Sequence, residues 1–350
     1  MTVFSHPEFD QHHKVAFHHD PASGLQAIIA LHNLNRGPAL GGCRMWPYAE
    51  AEEALADVLR LARGMTYKSA LAELPYGGGK AVIIGDPKQD KSESLFRAMG
   101  RFVHSLGGKY VTAEDVGIAM ADVELIGKET PHVAGTRAGG AGDPSPATAY
   151  GVYRGIQAAV RHRLGRQDLT GVTVAVQGLG SVGRQLCRYL ARDGAQLIVA
   201  DIHEAAVRDV AATFQATPVA PEAVLAAQCD VFAPCALGGV IDDETIARLQ
   251  APIVAGSANN QLAEPRHGLA LAARKVLYAP DYVINAGGII NISHEGPGYD
   301  RAKAFAHVAR IGDTLGEIFA RAGRQGTATS EAADRLAEDR FKKRAAAAAA

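Results

Sequence analysis

The stretch Val172–Leu190, VTVAVQGLGSVGRQLCRYL, limits the possible folds more than any other part of the chain. An apolar strand pattern runs into Gly178, Gly180 and Gly183, and a helical pattern leaves them. G-x-G-x-x-G alone is a weak signal. Here the strand pattern QLIVAD follows and sets Asp201 twenty-three positions beyond Gly178, where a dinucleotide fold needs an acid. The glycines then divide the work: a tight turn at Gly178, close approach of a pyrophosphate at Gly180, and helix–strand packing at Gly183. The positive end of the helix meets the phosphate charge. Asp201 is expected to accept hydrogen bonds from the adenosine ribose and to repel a 2′-phosphate, which favours NAD over NADP. A glycine turn in some other βαβ fold is the weaker reading, because strand, helix and acid all stand at the required spacing.

The surrounding pattern agrees. Beyond the loop GTRAGGAGDPSP come helix ATAYGVYRGIQAAVRHRL, strand VTVAVQ, a helix from Ser181, strand QLIVAD, a helix from Glu204, strand DVFAPC, a helix from Asp243 and strand PIVAGS. Strands alternating with helices predict a parallel sheet covered on both faces. The strand ends Ala233–Gly238 and Ala255–Asn260 fall where ligands meet the carboxyl edge of such a sheet, so cofactor contacts are expected there.

Upstream, VAF and LQAIIALH predict a hairpin joined by HHDPASG, followed by a helix from about Ala51 into Leu74 with Leu55, Val58, Leu59 and Ala62 at helical spacing. Strand AVIIG follows a glycine loop. Helix KSESLFRAMGRFVHSL, strand KYVTAED and a helix from about Ala121 to Glu129 complete this part. Near the C-terminus, YDRAKAFAHVARIGDTLGEIFARA and SEAADRLAEDRFKKR predict two further helices, before a low-complexity AAAAAA.

A length of 350 residues suits roughly two domains. The 36 basic and 37 acidic side chains nearly cancel, so nothing electrostatic favours nucleic acid or an anionic membrane. No apolar run approaches a membrane span and MTVFSHPEFD has no signal-peptide pattern, so the cytoplasm is the expected compartment. Cys43, Cys187, Cys229 and Cys235 form no CxxC pair and are expected as buried free thiols. His12, His13, His18 and His19 lie around the hairpin, and no metal site is expected there.

The chemistry is expected near PYGGGK, Pro75–Lys80. Three glycines before a lysine suggest close approach of either a phosphate or a small substrate. The phosphate loop fails in detail: no Ser or Thr follows Lys80, and AVIIG continues as a strand. Lys68 lies late on the preceding helix, and VTAEDVG ends a strand with Glu114 and Asp115. Two lysines and a carboxylate suit an amino-acid substrate, which needs a cation for its carboxylate and a proton-transfer pair at its nitrogen.

GPALGGCRMW, RGMTYKSA, GGGKAVIIGDP, TAEDVG, PSPATAYGVYRG, VAVQGLGSVG, FAPCALGG, AGSANNQL and YAPDYVINAGG occur in this order between about Gly37 and Arg340. In order and spacing they resemble the glutamate/leucine/phenylalanine/valine dehydrogenase family, and within it the leucine enzymes most. The third glycine of GLGSVG and the GGII segment depart from the leucine pattern.

The resemblance implies an α/β fold of two domains separated by a cleft. Residues 1–140 form the substrate and oligomerisation domain, residues 141–325 the Rossmann-type NAD domain, and helices of about 326–350 pack back on the first. It further implies that Lys80 and Asp115 are catalytic and that Lys68 binds the substrate carboxylate. Leu40, Gly41, Gly77, Gly78, Ala113, Asn260, Ile289 and Ile292 are expected around the rest of the substrate. Thr148, Gly178, Leu179, Gly180, Ser181, Val182, Gly183, Asp201, Ala236, Ala258 and Asn260 are expected to contact NAD.

The implied reaction is reversible oxidative deamination of a branched-chain aliphatic amino acid to its 2-oxo acid and ammonia, by a homo-oligomer, dimer or octamer. A cationic neighbour and partial burial both favour the neutral amine of a lysine, the form that acts as a base. Alternatives are an aromatic substrate, a 2-hydroxy acid dehydrogenase, which would use a histidine base not seen in a comparable motif, and a catalytically silent NAD-binding protein.

Overall fold

The computed structural model describes residues 2–348, which divide into two compact units. One comprises the chain through Gly142, Ile292–Tyr299 and the chain from Ala337 onward. The other comprises Asp143–Asn291 and Asp300–Leu336.

The first unit opens with the hairpin β1 (Lys14–Asp20) and β2 (Leu25–Asn33). There follow β3 (Ala39–Trp46), α1 (Ala51–Leu71), β4 (Gly77–Ile84), α2 (Glu93–His104), β5 (Tyr110–Ala113) and α3 (Met120–Gly127). The five strands lie in the order β1-β2-β4-β3-β5. β2 pairs antiparallel with β1 and β4, whereas β3 pairs parallel with β4 and β5.

Period-two alternation gives this sheet two buried faces. Ile28, Ala30 and Val82 meet Ala54, Leu55, Val58, Leu59 and Ala62 of α1. Ile29, Leu31, Cys43, Met45, Ala81 and Ile83 meet Phe96, Met99 and Phe102 of α2 and Val123 and Ile126 of α3. The helix α2 begins at Ser92, whose Oγ accepts the Leu95 N–H at 3.1 Å, a normal N-cap.

The glycines before Lys80 do not form a loop: they are the first three residues of β4. At Gly77 and Gly78 the place of the missing side chain is occupied by neighbouring backbone. A Cβ on Gly77 would lie 1.9 Å from the Asn33 carbonyl oxygen, and one on Gly78 would lie 2.0 Å from the Thr66 nitrogen of α1. The run therefore lets α1 settle directly on the strand.

In the second unit, α4 (Ser145–Leu164) precedes β6 (Thr173–Gln177), α5 (Ser181–Arg192), β7 (Gln196–Ala200), α6 (Glu204–Phe214), β8 (Thr217–Pro218) and β9 (Val231–Pro234). Next come α7 (Asp243–Arg248), β10 (Ile253–Val254), α8 (Arg266–Ala273), β11 (Leu277–Tyr278), α9 (Asp281–Ile284) and α10 (Gly287–Ile292). The sheet order is β11-β10-β9-β6-β7-β8, and every pair is parallel. This is the doubly wound dinucleotide-binding topology, with its switch point between β6 and β9. The segment expected as one long helix is two, α11 (Arg301–Ala309) and α12 (Ile311–Gln325), which join at Arg310.

The last helix, α13 (Thr329–Ala348), contributes to both units. Its start belongs to the second unit, where Tyr282 donates to Asp334 at 2.6 Å. Its later residues belong to the first, where Glu338 accepts from the Tyr67 hydroxyl at 3.0 Å and Arg340 donates to the Leu71 carbonyl at 2.9 Å. No helix among the described residues is long and apolar enough to cross a membrane.

Candidate active site

In the first unit, Lys80 is the fourth residue of β4 and only 5% exposed. Alternation puts it on the same face as Val82, the face that α1 covers. A buried ammonium needs a counter-charge, and Asp115 supplies it: Lys80 Nζ lies 2.9 Å from Asp115 Oδ2. Asp115 stands just beyond the end of β5, two strands away, so the contact spans β3. At that point β3 carries Gly42, whose register partner is Ala113.

The same Asp115 Oδ2 also accepts from Arg44 Nε at 3.0 Å. Arg44 lies on β3 and was not anticipated as a site residue. Its other branch donates to Asp57 Oδ2 of α1 at 2.8 Å, and Asp57 also accepts from the Tyr48 hydroxyl at 2.7 Å and from Arg60 at 2.7 Å. Burial opposes ionisation of Asp115, but Lys80 and Arg44 together outweigh it and hold the carboxyl below its ordinary range. Cys43, on the opposite face of β3, is pushed up to about 12, first by burial, and is a core thiol.

Lys68 is half-buried in the last turn of α1, two residues past Thr66, which lies over Gly78. Leu40 and Ala113 are buried on β3 and β5, and Gly41 pairs with Thr112 beside them. The Tyr110 hydroxyl donates to the Gly41 carbonyl at 2.7 Å and fixes that strand. Ile289 and Ile292 are half-buried and three residues apart, hence on one face of α10.

In the second unit the three glycines each meet a different environment. Gly178 has φ +96°, open to glycine and strained for other residues, and its Cβ position is 2.8 Å from the Ala236 Cβ. Gly183 packs on the Gly178 carbonyl oxygen, 1.9 Å from where its own Cβ would be. Gly180 has nothing within 4 Å on that side. Turn, close packing and open approach are the three requirements of a pyrophosphate cradle, so the residues fit a dinucleotide. Ser181, Val182 and Gly183 form the first turn of α5, the end that favours an anion.

Asp201 follows β7, and its Oδ2 accepts the Leu179 N–H at 2.6 Å while Oδ1 accepts that of His203 at 2.8 Å. Burial pushes its carboxyl up, but these amides outweigh it and hold it below the ordinary range. Ala236 and Ala258 follow β9 and β10, and the Ala258 N–H donates to Pro234 at 2.9 Å. Exposed Asn260 adopts φ +50° and is pinned by its N–H to Asp281 at 2.6 Å. Asn285 steadies the same loop by donating to Asn259 Oδ1 at 2.7 Å, a role its place in YVINAGG did not signal. Thr148, in the first turn of α4, donates its hydroxyl to Pro144 at 3.0 Å.

Residues 10–132 match the family described as Glu/Leu/Phe/Val dehydrogenase, dimerisation domain. Residues 139–211 and 199–332 match Glutamate/Leucine/Phenylalanine/Valine dehydrogenase. A leucine dehydrogenase from Geobacillus stearothermophilus is 52% identical over 343 residues, 97% of this chain and 94% of that protein. An L-tryptophan dehydrogenase from Nostoc punctiforme is 49% identical over 342 residues, 97% of this chain and 96% of that one. The crystal structure of L-tryptophan dehydrogenase from Nostoc punctiforme superposes with a TM-score of 0.87 at 48% identity, covering 95% of this chain and 97% of that chain. The chain therefore belongs to the glutamate/leucine/phenylalanine/valine dehydrogenase family and is an NAD-dependent amino-acid dehydrogenase.

Proposed function

We propose that the protein catalyses the reversible, NAD-dependent oxidative deamination of a branched-chain aliphatic L-amino acid, leucine, valine or isoleucine, to the 2-oxo acid and ammonia. The observation that carries this reading is the ion pair of buried Lys80 and half-buried Asp115 at 2.9 Å, beside the uncharged Leu40 and Ala113. Such a pair can move protons, and an apolar side-chain site has nothing to match a second charge on the substrate.

In this reading Lys68 holds the substrate carboxylate, and Asp115 takes a proton from the substrate ammonium. Bound NAD supplies the acceptor for the hydride of the α-carbon, a chemistry no side chain provides. Lys80, having released its proton to solvent, then takes one from the water that adds to the imine carbon, and Asp115 protonates the nitrogen as the C–N bond breaks. In the first unit Leu40, Ala113 and Ile292 line the substrate side chain, with Gly41, Gly77 and Gly78 near its main-chain atoms. Thr148, Gly178, Leu179, Gly180, Ser181, Val182, Gly183, Asp201, Ala236, Ala258 and Asn260 hold the cofactor.

Relatives named for tryptophan and phenylalanine, at 49% and 47% identity, favour a second reading with an aromatic substrate. The match of residues 10–132 to a dimerisation domain supports a homo-oligomer built through the first domain. The test is NADH formation with a panel of amino acids. Aliphatic preference supports the first reading, aromatic preference replaces it, and no turnover with any amino acid sinks the assignment of Lys80 and Asp115.

A further inference from the structure

Asp115 is gripped by two cations on one oxygen. Lys80 Nζ at 2.9 Å and Arg44 Nε at 3.0 Å both meet Oδ2, which leaves Oδ1, among the described residues, as the oxygen for a substrate nitrogen. Arg44 is itself fixed. It stands on β3, the strand between β4 and β5, and its fork bridges Asp115 and Asp57, whose Oδ2 also takes the Tyr48 hydroxyl. Donors from two strands on one oxygen fix where Oδ2 lies, and a planar guanidinium held at its other end by Asp57 keeps its donor in place better than a flexible ammonium.

We propose that Arg44, braced by Asp57 and Tyr48, is a positioning residue that orients Asp115 for proton transfer at the substrate nitrogen. The inference rests on the proton-transfer role proposed for Asp115. Arg44 does not touch the reacting atoms, and its effect passes entirely through the carboxylate. The groups around Asp115 are Lys80 from β4, Arg44 and Cys43 from β3, and Tyr110 from β5, with Asp57 from α1 behind Arg44. The Cys43 thiol and Tyr110 phenol are both pushed up by burial, so the two cations dominate.

The test compares Arg44→Gln, Arg44→Lys and Asp115→Asn by the pH profile of kcat/KM for amino-acid oxidation, with thermal melts to establish folding. Removing the guanidinium in Arg44→Gln raises the Asp115 carboxyl, so the acid limb moves to higher pH by about 1 unit or more. Arg44→Lys keeps the charge but cannot span from Asp115 to Asp57. Its acid limb stays in place while kcat falls about 10-fold or more with KM little changed, as expected for a misaligned proton-transfer group.

An unmoved limb in folded Arg44→Gln overturns the inference. If Arg44→Gln does not fold, Arg44→Lys decides, and wild-type kcat there overturns it. Asp115→Asn separates the two levels: wild-type turnover in that variant removes Asp115 from the mechanism and the inference with it. An inactive Asp115→Asn beside unaffected Arg44 variants removes only the role of Arg44.

Discussion

Gly42 and Asp115 pack so closely that a Cβ on Gly42 would lie 2.8 Å from the Asp115 Cβ and 2.4 Å from the Glu114 carbonyl oxygen. The turn after β5 can hold Asp115 against Lys80 only because β3 has no side chain there. Gly42→Ala must therefore push this turn outward. A displacement approaching 1 Å at a proton-transfer group costs on the order of 10²-fold in rate, so kcat should fall by one to two orders while NADH binding is retained. Steady-state kinetics beside fluorescence titration of NADH measures both, and an unchanged kcat would mean that Asp115 need not occupy this position.

Lys80→Ala removes the buried ammonium outright. Loss of a proton-transfer group costs about 10²- to 10⁴-fold, whereas the residues proposed to hold NAD lie in the second unit and should keep their affinity. Near-normal kcat in this variant would remove Lys80 from the mechanism.

The second unit was legible because its signals are local: one glycine fingerprint, one acid at fixed spacing, and apolar strands between helices. β8 and β11 are two residues long and lack the flanking pattern of a βαβ unit that marks the equally short β10 within PIVAGS. In the first unit, glycine misled. Gly is depleted from strands in general, so GGGK reads as a loop and GPALGG gives no strand signal, yet β3 and β4 use those glycines to bring backbone against backbone. Arg44 was invisible for another reason. Its partners Asp57 and Asp115 lie 13 and 71 positions away, and nothing in the order of residues announces that a sheet will bring them together.

His32 gives the fold a pH dependence. Burial, then the neighbouring His12, hold its imidazole at about 4 against an ordinary 6.5, and its Nδ1 is hydrogen-bonded with Thr66 Oγ1 at 2.8 Å. As pH falls, the unfolded chain takes up a proton near 6.5 and the folded chain only near 4. The unfolded state binds more protons in that window, so stability rises with pH across it and is lost on acidification. The linkage amounts to about 2 kcal/mol at about pH 5. His12 is also lowered, chiefly by burial, and adds in the same sense. Urea midpoints should drop less between about pH 7 and about pH 5 in His32→Asn than in the wild type; an equal drop would assign the acid sensitivity elsewhere.

Asp201→Ser tests cofactor choice. The carboxylate that would repel a 2′-phosphate also accepts the Leu179 and His203 amides, so its loss should weaken NAD binding as well as relieve repulsion of NADP. The ratio of kcat/KM for NAD over NADP should narrow at least about 10-fold, the scale of one charge contact. If both cofactors weaken equally, Asp201 organises the glycine turn without selecting between them.

Substrate choice turns on Ala113, buried at the end of β5 in register with Gly42. Its methyl is proposed to stand where a phenyl ring would extend, with Leu40 on the adjacent strand and Ile292 in the same unit. None of the three carries a charge, so the γ-carboxylate of glutamate would be buried unpaired, and glutamate should be the poorest substrate of the panel. Valine, leucine and isoleucine differ by amounts that an apolar pocket discriminates weakly, about 1 to 3 kcal/mol per methylene, and all three should turn over. Phenylalanine and tryptophan should lag in the wild type. Ala113→Gly should raise kcat/KM for phenylalanine relative to leucine, because it removes the crowding methyl without touching Lys80, Asp115 or the cofactor residues. The comparison of kcat/KM across the panel in both proteins is decisive: aromatic preference in the wild type, or no relative gain for phenylalanine in the variant, means that Ala113 does not line the side-chain pocket.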